Sequence, residues 1–327
     1  MKITAPLYPT PQLMESSHLT LIEFPSNLGL KEPHSGHEPG VRRLPDFFRE
    51  HGFHDALKPD GVIRLEPPPY AMKSDRDSGV RNADAIADYA KKQATVLEEV
   101  LLEGQFAVVL GGDCSILIGN ALALRNMGEF GLFYLDGHTD FMLPEQSKTE
   151  GAAGMDLAFI TGHGPVKLTD IGGRKPYISE KHVWCVGNRD LEAWYVKAIL
   201  HSDIHYTDLA ALRKEGIAKC VERFLNMVHK ERLAGFWIHF DVDVLDDEMM
   251  PAVDSRQPGG LLYSELNHLL GLLLTSPCAV GLDITILDPD LDPEGRYTKE
   301  LVRNLTSVLA VAPAPENKHD CEQAAEG

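Results

Sequence analysis

The chain has 327 residues, 43% of them hydrophobic, and carries 49 acidic against 31 basic side chains for a formal net charge of -18. That length can bury a large core in one domain. The negative charge repels phosphate backbones and anionic lipid surfaces, so neither nucleic acid nor a membrane is an expected partner.

Short apolar runs at 19–24, 62–65, 106–110, 131–135, 182–186, 204–206, 235–240 and 278–282 read as strands, most of them buried. Between many of them lie stretches of helical periodicity at 83–102, 116–125, 209–229 and 264–274. This alternation predicts a three-layer α/β/α fold around a mostly parallel sheet of eight strands. Long loops occupy 25–40, 144–156 and 162–181, and loops of that size in a compact domain are more often functional than idle. The reading is one domain over 1–311, followed by a Pro-, Ala- and Glu-rich flexible tail over 312–327.

Five cysteines form no CxxC pair, which suits a reducing compartment. The first residues lack the apolar core of a signal peptide, and the apolar stretch 269–282 is interrupted by Thr275, Ser276 and Pro277. A cytoplasmic location is therefore expected.

Four strands run directly toward an acid: Asp113, Asp136, Asp241 and Asp283. Ligands of parallel α/β sheets bind beyond the carboxyl ends of strands, so these acids should converge. Two of them open clusters, Asp136-Gly137-His138-Thr139-Asp140 and Asp241-Val242-Asp243-Val244-Leu245-Asp246. A lone acid after a strand usually caps the next turn. Two clusters with acids two residues apart favour metal, because so many carboxylates need cations to be ionised together. Mixed oxygen and imidazole donors suit two divalent ions, with Mn favoured and Fe, Co, Ni or Zn accepted. A pair of ions about 3.5–4 Å apart would activate a water between them at neutral pH.

Five motifs in order carry a resemblance to a known family: Gly40-Val41-Arg42-Arg43-Leu44-Pro45, Gly111-Gly112-Asp113-Cys114-Ser115, the two acidic clusters, and Pro258-Gly259-Gly260-Leu261. The chain resembles the ureohydrolases, the family of arginase, agmatinase and formimidoylglutamase. The resemblance implies that Asp136 and Asp241 bridge two metals, with His138 and Asp243 completing one site. Asp140 and Cys114 would complete the other, Cys114 standing where the family has histidine and shifting preference toward Zn or Fe. It further implies a hydrolase of non-peptide C–N bonds in linear guanidines, amidines or amides, acting on a small molecule and assembled as a homotrimer or hexamer. Asp113 and Asp246 read as turn or supporting acids.

Other positions depart from the family. Its catalytic-loop histidine falls on Ala153, its arginine-specific contacts on Met142, Thr149 and Gly151, and its guanidinium-holding glutamate on Ile286. Arginine is therefore not the expected substrate. Candidates for the catalytic roles are Asp140 as proton relay, His163 as shuttle and Glu192 at the substrate's amino group, with surface histidine and surface ion pair as the bland accounts of the last two. His34 and His37 lie in the loop before the first motif. Two further readings stand beside the dinuclear hydrolase: a single-zinc, deacetylase-like enzyme using Asp136, His138 and Asp241, and a non-catalytic homologue acting as subunit or regulator.

Overall fold

The computed structural model describes residues 18–310. The expected tail over 312–327 lies outside them. Eight strands form the central sheet: β1 (Leu19–Glu23), β2 (Gly61–Arg64), β3 (Phe106–Leu110), β4 (Gly131–Leu135), β5 (Val183–Val186), β6 (His205–Thr207), β7 (Phe236–Asp241) and β8 (Ala279–Thr285). Their spatial order is β2-β1-β3-β8-β7-β4-β5-β6, and every pairing in the sheet is parallel. Each predicted run corresponds to one of these strands. The inner strands are continuous apolar runs such as Phe106-Ala-Val-Val-Leu110, buried on both faces as a sheet covered on both sides requires. The edges differ: Val62 and Ile63 of β2 are exposed and β6 is half-buried, because each edge strand has a neighbour on only one side.

Helices cover both faces. On one side α1 (Ala83–Leu102) and α2 (Leu117–Met127) pack against Ile22, Val109, Leu132 and Trp237. On the other, α3 (Leu209–Glu215), α4 (Ile217–Lys230), α5 (Tyr263–Leu274) and α6 (Arg296–Leu309) pack against Val108, Phe133, Ile238 and Leu282. The predicted single helix over 209–229 is two, since Gly216 adopts φ +97° and breaks the hydrogen-bond ladder there. Helix α6 went unread in the sequence, although Leu301, Val302, Leu305, Val308 and Leu309 line one of its faces and are buried.

The turn after β3 passes too close to its neighbour for any side chain. A Cβ on Gly112 would stand 1.7 Å from the carbonyl oxygen of Ser26. This contact holds the Asp113–Cys114 turn against the loop after β1, where Asp113 accepts hydrogen bonds from Ser26 Oγ, Gly29 N and Ser115 N at 2.9–3.1 Å. Asp246 similarly accepts from Glu248 N and Gly259 N at 3.0 and 2.7 Å. Both acids thus shape turns.

Candidate metal centre and its cleft

Strand register builds the site. Tyr134, His239 and Asp283 are paired neighbours on β4, β7 and β8. Thr285 pairs with Asp241 two residues farther on, and Asp136 follows β4 directly. Side chains alternate along a strand, so Trp237, His239 and Asp241 share one face, and the polar groups of three strands stack toward the carboxyl edge.

Among the described residues, two triplets place their donor atoms within 4.8 Å of one another: Asp136, His138 and Asp243, and Cys114, His239 and Asp241. In the first, His138 Nδ1 lies 2.9 Å from Asp243 Oδ2 and 3.7 Å from Asp136 Oδ1. Backbone donors hold the carboxylates, with His138 N on Asp136 Oδ1 at 2.6 Å and Gly137 N on Asp243 Oδ1 at 3.1 Å. Arg189 braces the loop from below, donating to the carbonyls of Asp243, Val244 and Gln257 at 2.8–3.1 Å. In the second triplet the Cys114 thiol donates to Asp241 Oδ2 at 2.9 Å and lies 3.1 Å from Thr285 Oγ1. Asp140 belongs to neither triplet. It borders the cleft with φ +42°, and Tyr134 Oη donates both to its Oδ2 at 3.3 Å and to Asp156 Oδ1 at 3.0 Å.

Burial pushes the carboxyls of Asp136, Asp140, Asp156 and Asp241 above the usual range, and neighbouring carboxylates push them further. Burial also raises the Cys114 thiol well above its ordinary value, with Asp241 adding to it. For Asp243 burial acts the same way, but His138 and Arg189 outweigh it and hold the carboxyl low. Among the described residues, Asp136 Oδ2, Asp156 Oδ2 and His239 Nε2 are buried without a hydrogen-bond partner, a cost of about 1–3 kcal/mol for each group. Cations among these donors would offset the repulsion and satisfy open lone pairs, so the residues fit a metal centre.

The cluster forms the floor of a cleft of about 1430 Å³. Residues 22–311 match the family model of the arginase family. This chain belongs to the arginase family. Arginase from Bacillus caldovelox is 31% identical over 237 residues, 72% of this chain and 76% of that protein. Its solved structure matches with a TM-score of 0.79 at 28% identity, covering 89% of this chain and 97% of that one. Formimidoylglutamase from Bacillus subtilis shares the fold at a TM-score of 0.65 and 19% identity, covering 90% of this chain and 88% of that one.

Within this arginase-family chain, the positions that depart from the family's substrate contacts all border the cleft: Met142, Thr149, Gly151, Ala153 and Ile286. Ile286 adopts φ +75°, a conformation that a β-branched residue occupies only under strain. Two residues named from the sequence lie elsewhere. His163 does not border the cleft; its Nε2 pairs with Glu180 and its ring meets Phe141 edge-on. Glu192 also stands off the lining, accepting from Trp194 Nε1, while Trp194 itself is exposed on the rim. His34 and His37 do reach the cleft, their rings stacked at 4.6 Å.

His239 and Asp156 escaped the sequence reading. For His239 the signal was present: it precedes Asp241 by two residues on a strand and must share its face. Asp156, far along the loop from its partner Tyr134, had no such signal.

Proposed function

We propose that this protein is a metal-dependent hydrolase that cleaves a C–N bond in a linear guanidine, amidine or amide other than arginine, using two divalent cations. The observation that carries this reading is the convergence of Asp136, His138 and Asp243 in one triplet and of Cys114 and Asp241 in another, with His138, Asp243, Cys114, Asp241 and Asp140 all lining one cleft. Asp136, His138 and Asp243 would hold one cation, and Cys114 with Asp241 the other. When bound, such cations act as Lewis acids and lower the pKa of water, supplying a nucleophile at neutral pH.

The remaining work falls to the chain's own groups. Asp140 borders the cleft and is steadied by Tyr134, so it can take a proton from attacking water and return it to the leaving nitrogen. Arg189 fixes the backbone that carries Asp243 and keeps that carboxylate on station. Glu32, Asp190, Asp254, Asp288 and Asp290 against Lys31 and Arg256 give the cleft an excess of negative charge, which draws a cationic substrate. The wall formed by Met142, Ala153, Gly154, Val253 and Ile286 offers no charged side chain to clasp a guanidinium, so it favours a substrate with an apolar face there.

The test is a panel of guanidines, amidines and amides assayed for urea or ammonia after loading the protein with Mn or Zn. Turnover of a non-arginine member is expected, falling about 10²–10⁴-fold in Asp140→Asn. Arginine as the best substrate would overturn the specificity, and no turnover by the loaded protein would overturn the enzymatic reading.

A further inference from the structure

We infer that His239 completes a second and softer cation site with Cys114 and Asp241, so that the two metal positions of the cleft differ in chemistry. This rests on the metal reading given above and adds a ligand to it.

His239 is fully buried, and its Nδ1 is hydrogen-bonded to Asp283 Oδ1. Asp283 is itself fixed, since Oδ2 accepts from Trp237 Nε1 and from Asn120 Nδ2, the latter at 3.1 Å. A carboxylate on one imidazole nitrogen places the proton there and leaves a lone pair on the other, the arrangement that prepares histidine as a metal ligand. The ring plane is fixed as well, because Tyr134 stacks on it with centroids 4.5 Å apart and planes 20° from parallel.

The second nitrogen has no protein partner. His239 Nε2 is buried and makes no hydrogen bond among the described residues, while a ring nitrogen of His239 lies within 4.8 Å of both Cys114 Sγ and a carboxylate oxygen of Asp241. A purely structural histidine on a buried strand would be expected to satisfy both nitrogens. Here one is braced by a carboxylate that two further donors hold in place, and the other is left open.

The donor set then decides the cation. Asp136, His138 and Asp243 offer two oxygens and one nitrogen, whereas Cys114, His239 and Asp241 offer sulfur, nitrogen and oxygen. Thiolate with imidazole selects Zn, Co or Fe over Mn, while the oxygen-rich triplet accepts Mn. On binding, the proton that Cys114 now shares with Asp241 Oδ2 leaves to solvent as the metal–sulfur bond forms.

The experiment uses the whole protein loaded with cadmium-113 and carrying nitrogen-15 in its histidines, so that a directly bonded imidazole nitrogen couples to the metal. The His138 signal is assigned by its loss in His138→Asn. Coupling is expected at both His138 and His239, to two different cadmium resonances, with the one coupled to His239 shifted downfield by sulfur. In Cys114→Ser that resonance should move upfield while the His239 coupling persists. Coupling at His138 alone would overturn the inference and leave the proposed function in place; coupling at neither histidine would overturn both.

Discussion

His239 and Asp283 face one another in register across β7 and β8, and the hydrogen bond between them is wholly buried. Because this bond orients the imidazole, its effect reaches Cys114 and Asp241 one step farther along the sheet. Asp283→Asn is expected to weaken cation binding at the Cys114 site about 10–100-fold. Binding at the Asp136–His138–Asp243 triplet should change little. Competitive titration against a chelator, in wild type and variant, separates the two sites.

Arg189 spans the carbonyls of Asp243, Val244, Leu245 and Gln257, a task that suits a planar, forked donor and not an ammonium. Arg189→Lys is therefore expected to cost about 1–3 kcal/mol of stability, because buried carbonyls lose donors. It should also loosen the Asp243 position and lower cation affinity there. Urea denaturation of the metal-free protein, followed by cation titration, measures the two effects separately.

Glu23 governs the acid side of the stability profile. Its carboxylate is buried at the end of β1, where it accepts from His54 at 2.8 Å, from Arg64 at 3.1 Å and from Arg49. Burial alone would raise its pKa, yet His54 and the two arginines outweigh that and hold it below the ordinary 4.5. A carboxyl lowered in the folded state stabilises the protein fully above its unfolded value and loses that contribution as pH falls through the folded value. Glu23→Gln should thus lose about 1–3 kcal/mol at neutral pH. The deficit should shrink toward about pH 3 in denaturation curves, as the wild-type carboxyl also becomes neutral.

Ile286 occupies the cleft where the family resemblance places a guanidinium-holding glutamate. Ile286→Glu should raise affinity for a non-reacting guanidinium compound about tenfold, the gain of roughly 1.4 kcal/mol expected from one charge-assisted pair. Calorimetric titration checks this. Unchanged affinity would mean that the wall at Ile286 does not touch the ligand's cationic head.

The strands were legible because a buried parallel strand must be an unbroken apolar run, and each such run has a strand in the fold. Helix α6 was missed because its buried positions are spread among Arg296, Lys299, Glu300 and Arg303, which mask the stripe unless the helical period is counted. Gly216 was overlooked as a break because apolar periodicity continues on both sides of it. At the site, the acids behind the strands could be read since sheet topology alone brings strand ends together. His163 had only its place in the loop after the Asp140 cluster to recommend it, and Glu192 only the family resemblance; neither side chain lines the cleft. His239 was hidden by its setting, a polar residue inside the apolar run Phe236-Trp-Ile-His-Phe240 that reads as strand and not as ligand.

The metal content of the purified protein, measured by elemental analysis after loading with Mn and Zn together and removing excess, tests the dinuclear centre most directly. About two divalent ions per chain are expected. Asp136→Asn and Asp241→Asn should each retain fewer than the wild type. A chain that keeps one ion despite saturating supply, or a pair of variants that bind as the wild type does, would contradict the dinuclear centre.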